Sequence, residues 1–273
     1  MKLIYSSECL DYEEPGHAES PERLRCAYNF LKDKYLTIEA RPASDIELLK
    51  IHSERHLQSV QNYLDYHPDC PPYPNIDKYA RLAAGAAIQA NQQNGFSLMR
   101  PPGHHAGRER LAGFCYYNNI AVAVKSTSKK TLIIDFDGHH GDGTQSIFLG
   151  DEQVVFVSLH RFPWYPGTGL RHQVNCFNFP LSALCGDVVY LQTLDAALEE
   201  IKLDRIEQIA VSAGFDAFAD DALASLSLST DSFYEIGQRI RKLSLPTFAV
   251  LEGGYVAESL GVNIHAFLQG LSN

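Results

Sequence analysis

The chain has 273 residues, 45% of them hydrophobic and 21% charged, which suits a globular protein with a large buried core and excludes a mainly disordered one. Its net charge of −10 argues against a nucleic-acid binder that works by neutralising phosphates and is compatible with cationic substrates. Met1 to Glu8 offers too short an apolar stretch for a signal peptide, and no run of about 18 apolar residues follows, so a cytoplasmic protein without membrane contact is expected.

Nothing divides the chain, and one domain over residues 1–273 is expected. Its cysteines, Cys9, Cys26, Cys70, Cys115, Cys176 and Cys185, include no C-x-x-C pair, so neither a zinc ribbon nor a redox motif is encoded. In chain order, the first element is a helix over 21–32, with Ser20 as cap and Pro21 in the first turn. The proline-dense stretch 69–74 must be a loop. A helix over 76–93 precedes a short apolar strand over 96–99, and a helix over 117–126 precedes a second strand over 131–136. A strand over 154–159 and a helix over 187–202 follow. Then come a strand over 206–212, a helix over 231–242, a strand over 247–251 and a helix over 258–269. The apolar runs do not alternate strictly, as strands covered on both faces do not. The predicted class is therefore α/β: a single domain with a mostly parallel central sheet and helices on both faces.

In such sheets functional groups gather beyond the carboxyl ends of the strands. The densest group here is Ile133-Ile134-Asp135-Phe136-Asp137-Gly138-His139-His140-Gly141-Asp142-Gly143, an apolar strand running into carboxylates and imidazoles that folding alone does not need. Residues two apart on an extended segment share a face, so Asp135, Asp137 and His139 suit Zn²⁺ or a similar ion. A catalytic zinc takes three protein ligands, and Asp216, in Ser212-Ala213-Gly214-Phe215-Asp216, is a candidate third, although in isolation it reads as well as a helix cap. Arg100-Pro101-Pro102-Gly103-His104-His105-Ala106 places two adjacent imidazoles after another strand, able to act as base and acid near neutral pH, with Asp135 and Asp142 available to orient them. Leu251-Glu252-Gly253-Gly254-Tyr255 ends a further strand with glycines and a phenol, either a donor to an oxyanion or a core tyrosine after a tight turn. No Gly-x-Ser-x-Gly elbow points to a serine nucleophile instead.

Together with His17-Ala18-Glu19-Ser20-Pro21-Glu22-Arg23, Gly113-Phe114-Cys115-Tyr116, Ser158-Leu159-His160 and Pro166-Gly167-Thr168-Gly169, these segments resemble the zinc-dependent histone deacetylase and acetylpolyamine amidohydrolase family, which shares the arginase-type fold. The resemblance covers nearly the whole chain. It implies zinc on Asp137, His139 and Asp216, His105 paired with Asp142 as principal base and acid, His104 paired with Asp135 as charge stabiliser, and Tyr255 polarising the substrate carbonyl. It implies a tunnel walled by Phe114 with Trp164 or Tyr165, further substrate positions at Gly103 and Gly113, and Arg23 on a channel for the departing acid. A potassium ion is implied on Asp135, Asp137 and Ser158 with the main chain of His139 and Leu159.

Two positions bear on substrate. Asp69 matches a rim acid that contacts a peptide backbone, which favours an acetylated lysine peptide or protein. Leu223 stands where some polyamine-specific relatives carry a carboxylate, which a leucine cannot replace for a passing ammonium. A small acylated amine such as an acetylpolyamine is the alternative. An arginase-like ureohydrolase would hold two metals with an Asp-x-Asp pair where this chain reads Phe215-Asp216-Ala217, and a non-catalytic acyl-lysine binder would not need Tyr255.

Overall fold

The computed structural model describes residues 1–272. A single eight-stranded sheet runs in the order β2-β1-β3-β8-β7-β4-β5-β6, and every neighbouring pair is parallel. Its strands are β1 (Leu3–Tyr5), β2 (Thr37–Glu39), β3 (Phe96–Ser97), β4 (Thr131–Asp135), β5 (Val154–Arg161), β6 (Cys176–Leu181), β7 (Gln208–Ala213) and β8 (Thr247–Leu251). The central strands β4 and β7 are buried along their whole length, as their unbroken apolar runs require.

The helices are α1 (Pro21–Leu31), α2 (Asp45–Leu48), α3 (Glu54–Asn62), α4 (Ile76–Gln93), α5 (Asn119–Lys125), α6 (Asp142–Phe148), α7 (Asp187–Glu200), α8 (Thr230–Lys242) and α9 (Ala257–Ser272). Helices α1 and α8 both pack on α9, while α4 packs on α5 and against β1, β3 and β8. Parallel strands need such crossovers, and the helices bury the apolar faces of the sheet. The fold is thus the expected α/β class.

Some elements lie outside the sequence expectation. β1 and β2 are three residues each, and β6 carries Asn178 and Pro180, tolerable because it is an edge strand. Ser20 sits at the start of α1 with Pro21 in the first turn, but its side chain makes no capping hydrogen bond, which corrects that part of the expectation. All six cysteines are free, five buried and Cys26 partly so. No helix among the described residues is long and apolar enough to cross a membrane.

Candidate active site

The carboxyl ends of β4, β7 and β8 and the loop after β3 converge on one place. Asp135 closes β4, in register with Ser158 of β5 on one side and Ser212 of β7 on the other. Beyond it the chain carries Asp137 and His139, beyond β7 it carries Asp216, and beyond β8 it carries Gly253 and Tyr255.

Asp137, His139 and Asp216 offer ligand atoms that all lie within 4.8 Å of one another. His139 Nδ1 stands 2.8 Å from Asp216 Oδ2 and 3.2 Å from Asp137 Oδ1. Backbone amides aim both carboxylates: Gly253 N–H donates to Asp137 Oδ2 at 2.8 Å and Gly138 N–H to Asp216 Oδ1 at 2.7 Å. A Cβ at Gly214 or Gly253 would run into the Asp137 carboxylate, so those glycines are demanded by close approach. Among the described residues neither acid has a lysine or arginine partner. Burial, and then the charge of Asp137, push the Asp216 carboxyl upward. Two buried carboxylates facing one imidazole nitrogen form a donor set that a divalent cation fits in both charge and chemistry.

Two histidine–aspartate pairs stand beside this cluster. His104 Nδ1 is 3.1 Å from Asp135 Oδ2, and His105 Nδ1 is 2.7 Å from Asp142 Oδ1. The pairs differ electrostatically. Burial lowers the His105 imidazole to about 4, with the charge of His104 adding to it and Asp142 only partly opposing it. For His104 burial acts the same way, but Asp137 and Asp135 outweigh it and hold the ring well above its ordinary value. The two rings are thus pushed in opposite directions, His105 toward its neutral form and His104 toward its cationic one. Gly113, at φ +49°, lies where a Cβ would overlap the His105 ring.

These groups form the floor of a cavity of about 240 Å³, lined by Asp69, Pro102, His104, His105, Gly113, Phe114, His139, Trp164, Tyr165, Leu223, Gly253 and Tyr255. The Phe114 and Tyr255 rings meet edge to face at 5.8 Å, and Tyr165 meets His105 at 5.2 Å. Burial raises the Tyr255 phenol well above its ordinary value although the Arg23 charge opposes it, so its proton is retained. Arg23 stands behind the cavity: it donates to Gly254 O at 2.6 Å and Glu252 O at 2.7 Å, with its guanidinium 4.7 Å from the Tyr255 ring centre. Gly103 is likewise outside the lining, its N–H donating to Glu252 Oε2 at 2.7 Å. Ser158 and Leu159 are buried on β5 beside Asp135, and Ser158 Oγ lies 2.9 Å from His160 Nδ1.

Sequence reasoning missed two contributors. Glu252 accepts from the N–H groups of Gly103 and His104 and from Ser212 Oγ, which fixes the loop that carries both histidines. A carboxylate at the end of an apolar strand was a usable signal for it. Arg110 pairs with Asp142 Oδ2 across the back of the His105 pair, and nothing in its local sequence marks it.

A carboxylate–imidazole cluster beside two His–Asp pairs, at the carboxyl edge of a parallel sheet and on the floor of a narrow cavity, has the composition of a hydrolytic centre. Residues 17–271 match the Histone deacetylase domain, and the chain belongs to that family of deacetylases. It is 35% identical over 304 aligned positions to the Probable deacetylase of Methanothermobacter thermautotrophicus, covering 99% of this chain and 90% of that one. The Acetylpolyamine amidohydrolase of Burkholderia pseudomallei is 36% identical over 205 positions, covering 69% of this chain and 59% of its own. Among solved structures, the HDA15 HD domain superposes with a TM-score of 0.90 at 31% identity, covering all of this chain and 91% of that one.

Proposed function

We propose that this deacetylase is a zinc-dependent amidohydrolase that removes acetyl or other short acyl groups from acylated lysine or a related amine. The observation that carries the reading is the single cavity whose floor combines His139 of the carboxylate cluster with His104, His105 and Tyr255. Asp137, His139 and Asp216 would hold the zinc. When bound, zinc supplies a Lewis acid for the amide carbonyl and makes hydroxide available near neutral pH.

The remaining work falls to the chain. His105, neutral and oriented through Nδ1 by Asp142, accepts the proton of the attacking water at Nε2 and returns it to the departing amine nitrogen. His104, oriented through Nδ1 by Asp135, turns its other ring nitrogen to the reaction centre and stabilises negative charge there. Tyr255 donates its phenolic hydrogen to the developing oxyanion, from which Phe114 at its edge helps to exclude water. Phe114, Tyr165 and Trp164 grip an aliphatic linker by apolar contact, and Gly113 keeps that wall close to His105. Asp69, at the mouth, would accept from a peptide N–H. Arg23, held by main-chain carbonyls behind Tyr255, would steer the departing carboxylate. Potassium would bind to Asp135, Asp137, Ser158 and the carbonyls of His139 and Leu159, next to the same cluster.

An acetylpolyamine or other small acylated amine is the second reading, favoured by the similarity to the Burkholderia protein. Hydrolysis of a fluorogenic acetyl-lysine peptide beside N-acetylated polyamines, with chelator and with added zinc, decides. Zinc-dependent release from the peptide supports the first reading, release from polyamines alone the second, and release from neither with zinc present points to another acyl group or to a binding role.

A further inference from the structure

Behind Trp164, outside the lining of the cavity, stands a cation that the chemistry above does not use. Arg161 is the last residue of β5, and its N–H donates to the carbonyl of Gly138, between Asp137 and His139, at 2.9 Å. Its guanidinium lies 3.5 Å from the Trp164 ring centre, and Nη1 donates to Ala224 O at 3.1 Å. Trp164 Nε1 in turn donates to Leu223 O at 2.6 Å. One side chain thus joins two walls of the mouth, the segment after β5 that carries Trp164 and the segment after Asp216 that carries Leu223. A planar guanidinium stacks on an indole and donates at its edge at the same time, which an ammonium cannot do.

Among the described residues Arg161 has no carboxylate within 4.0 Å of its guanidinium, and its side chain donates instead to the carbonyl of Ala224. Among the described residues the only side-chain carboxylate in the cavity lining is Asp69, 3.7 Å from His67 Nδ1. On the Trp164 side the mouth is therefore an aromatic plane backed by a fixed positive charge, beside an aliphatic Leu223. From this geometry we infer that Arg161 is a positioning residue that sets the mouth by holding Trp164 against Leu223, and that its charge disfavours substrates whose tail beyond the acylated linker is cationic. The second half rests on the proposed acyl-amide site; the first does not.

Trp164 is the only tryptophan in the chain, so its fluorescence reports on the mouth without any turnover. In this chain, quenching of Trp164 should show an iodide preference over caesium about twofold greater than that of free N-acetyltryptophanamide, because a cation lies against the ring. Arg161→Met should remove that preference and increase quenching by neutral acrylamide, whereas Arg161→Lys should keep the iodide preference but share the increase with acrylamide. Binding is followed by the same fluorescence with zinc added, using N-pentylacetamide and N-acetylcadaverine, which differ by a terminal ammonium. The neutral amide should bind about fivefold more tightly to the parent protein, and Arg161→Met should erase most of that difference.

Unchanged quenching in folded Arg161→Met overturns the positioning role. An undiminished preference between the two amides in that variant, or no response of Trp164 to either amide, overturns the selection against cationic tails. If Trp164 responds as expected while the zinc-loaded parent hydrolyses no acyl amide, the proposed function fails and the positioning role stands.

Discussion

His105 and Asp142 form the tighter of the two histidine–aspartate pairs that flank the carboxylate cluster, with Nδ1 to Oδ1 at 2.7 Å, and the same carboxylate is held from behind by Arg110. Only a donating Nδ1–H satisfies that contact, which leaves Nε2 of His105 with its lone pair toward the cavity. Asp142→Asn should cost about 10²- to 10⁴-fold in kcat, since Arg110 would keep the amide oxygen and the amide NH2 would then face Nδ1 and favour the wrong tautomer. Arg110→Ala is the gentler probe. Losing the guanidinium lets the Asp142 carboxyl rise, and a more basic Asp142 raises His105. Because the base must be neutral, the acidic limb of kcat/KM should move to higher pH in Arg110→Ala. A profile whose acidic limb stays in place would remove Arg110 from the relay.

Tyr255 makes no side-chain hydrogen bond to protein among the described residues, while its backbone N–H is anchored on Asp221 Oδ2 at 2.7 Å. Its hydroxyl is therefore free to meet a substrate oxygen, and its role lies in the transition state. Tyr255→Phe should lower kcat by about 10²- to 10³-fold with KM within a few fold and the zinc content unchanged. A drop in zinc content would instead make the residue part of the metal centre. Unaltered turnover would return it to the core-tyrosine reading.

The parts of the fold and site that were legible are those written in contiguous residues. β8 and α4 were bounded correctly because an apolar run or a helical composition ends at turn residues, and Asp137, His139 and Tyr255 stand out because each follows a buried strand. β1 and β2 escaped because three residues carry no periodicity, and β6 because Asn178 and Pro180 interrupt its apolar run. Asp216 was visible only as a candidate, its partner Asp137 being brought to it by strand pairing between β4 and β7. Arg110 and Arg161 act entirely through contacts between distant segments, which no local pattern encodes, and Glu252 is marked only by its place at the end of an apolar strand.

Metal should stabilise as well as activate. Asp137 and Asp216 are fully buried with one imidazole between them, so a divalent cation bound only by the folded chain adds RT ln(1 + [L]/Kd), about 4 kcal/mol at a thousandfold excess over Kd. Added zinc should therefore raise the melting temperature of chelated protein, and Asp216→Asn should abolish most of that rise together with activity. An equal rise in Asp216→Asn would place the zinc elsewhere.

Glu19 governs acid stability from beneath the site. It is buried between two buried arginines, with Arg100 Nε at 2.7 Å and Arg23 Nη1 at 3.0 Å. Burial alone would raise its carboxyl, but the charge and hydrogen bonds of Arg100, then Arg23, overcome that and hold it below the ordinary value. A carboxyl depressed in the folded state contributes its full stability above the unfolded value, about 4.3, and loses it as pH falls from there through the folded value. Glu19→Gln leaves two buried guanidiniums short of a counter-charge and should cost about 3–5 kcal/mol at pH 7. Because the variant has no carboxyl to protonate at this position, the deficit should shrink as pH drops below about 4. Urea unfolding of both proteins at pH 7 and in the acid range measures this directly. A deficit that stays constant across that range would mean that Glu19 acts through packing and hydrogen bonds rather than charge. Arg23 would then keep its place behind Tyr255 by its bonds to the carbonyls of Glu252 and Gly254 alone.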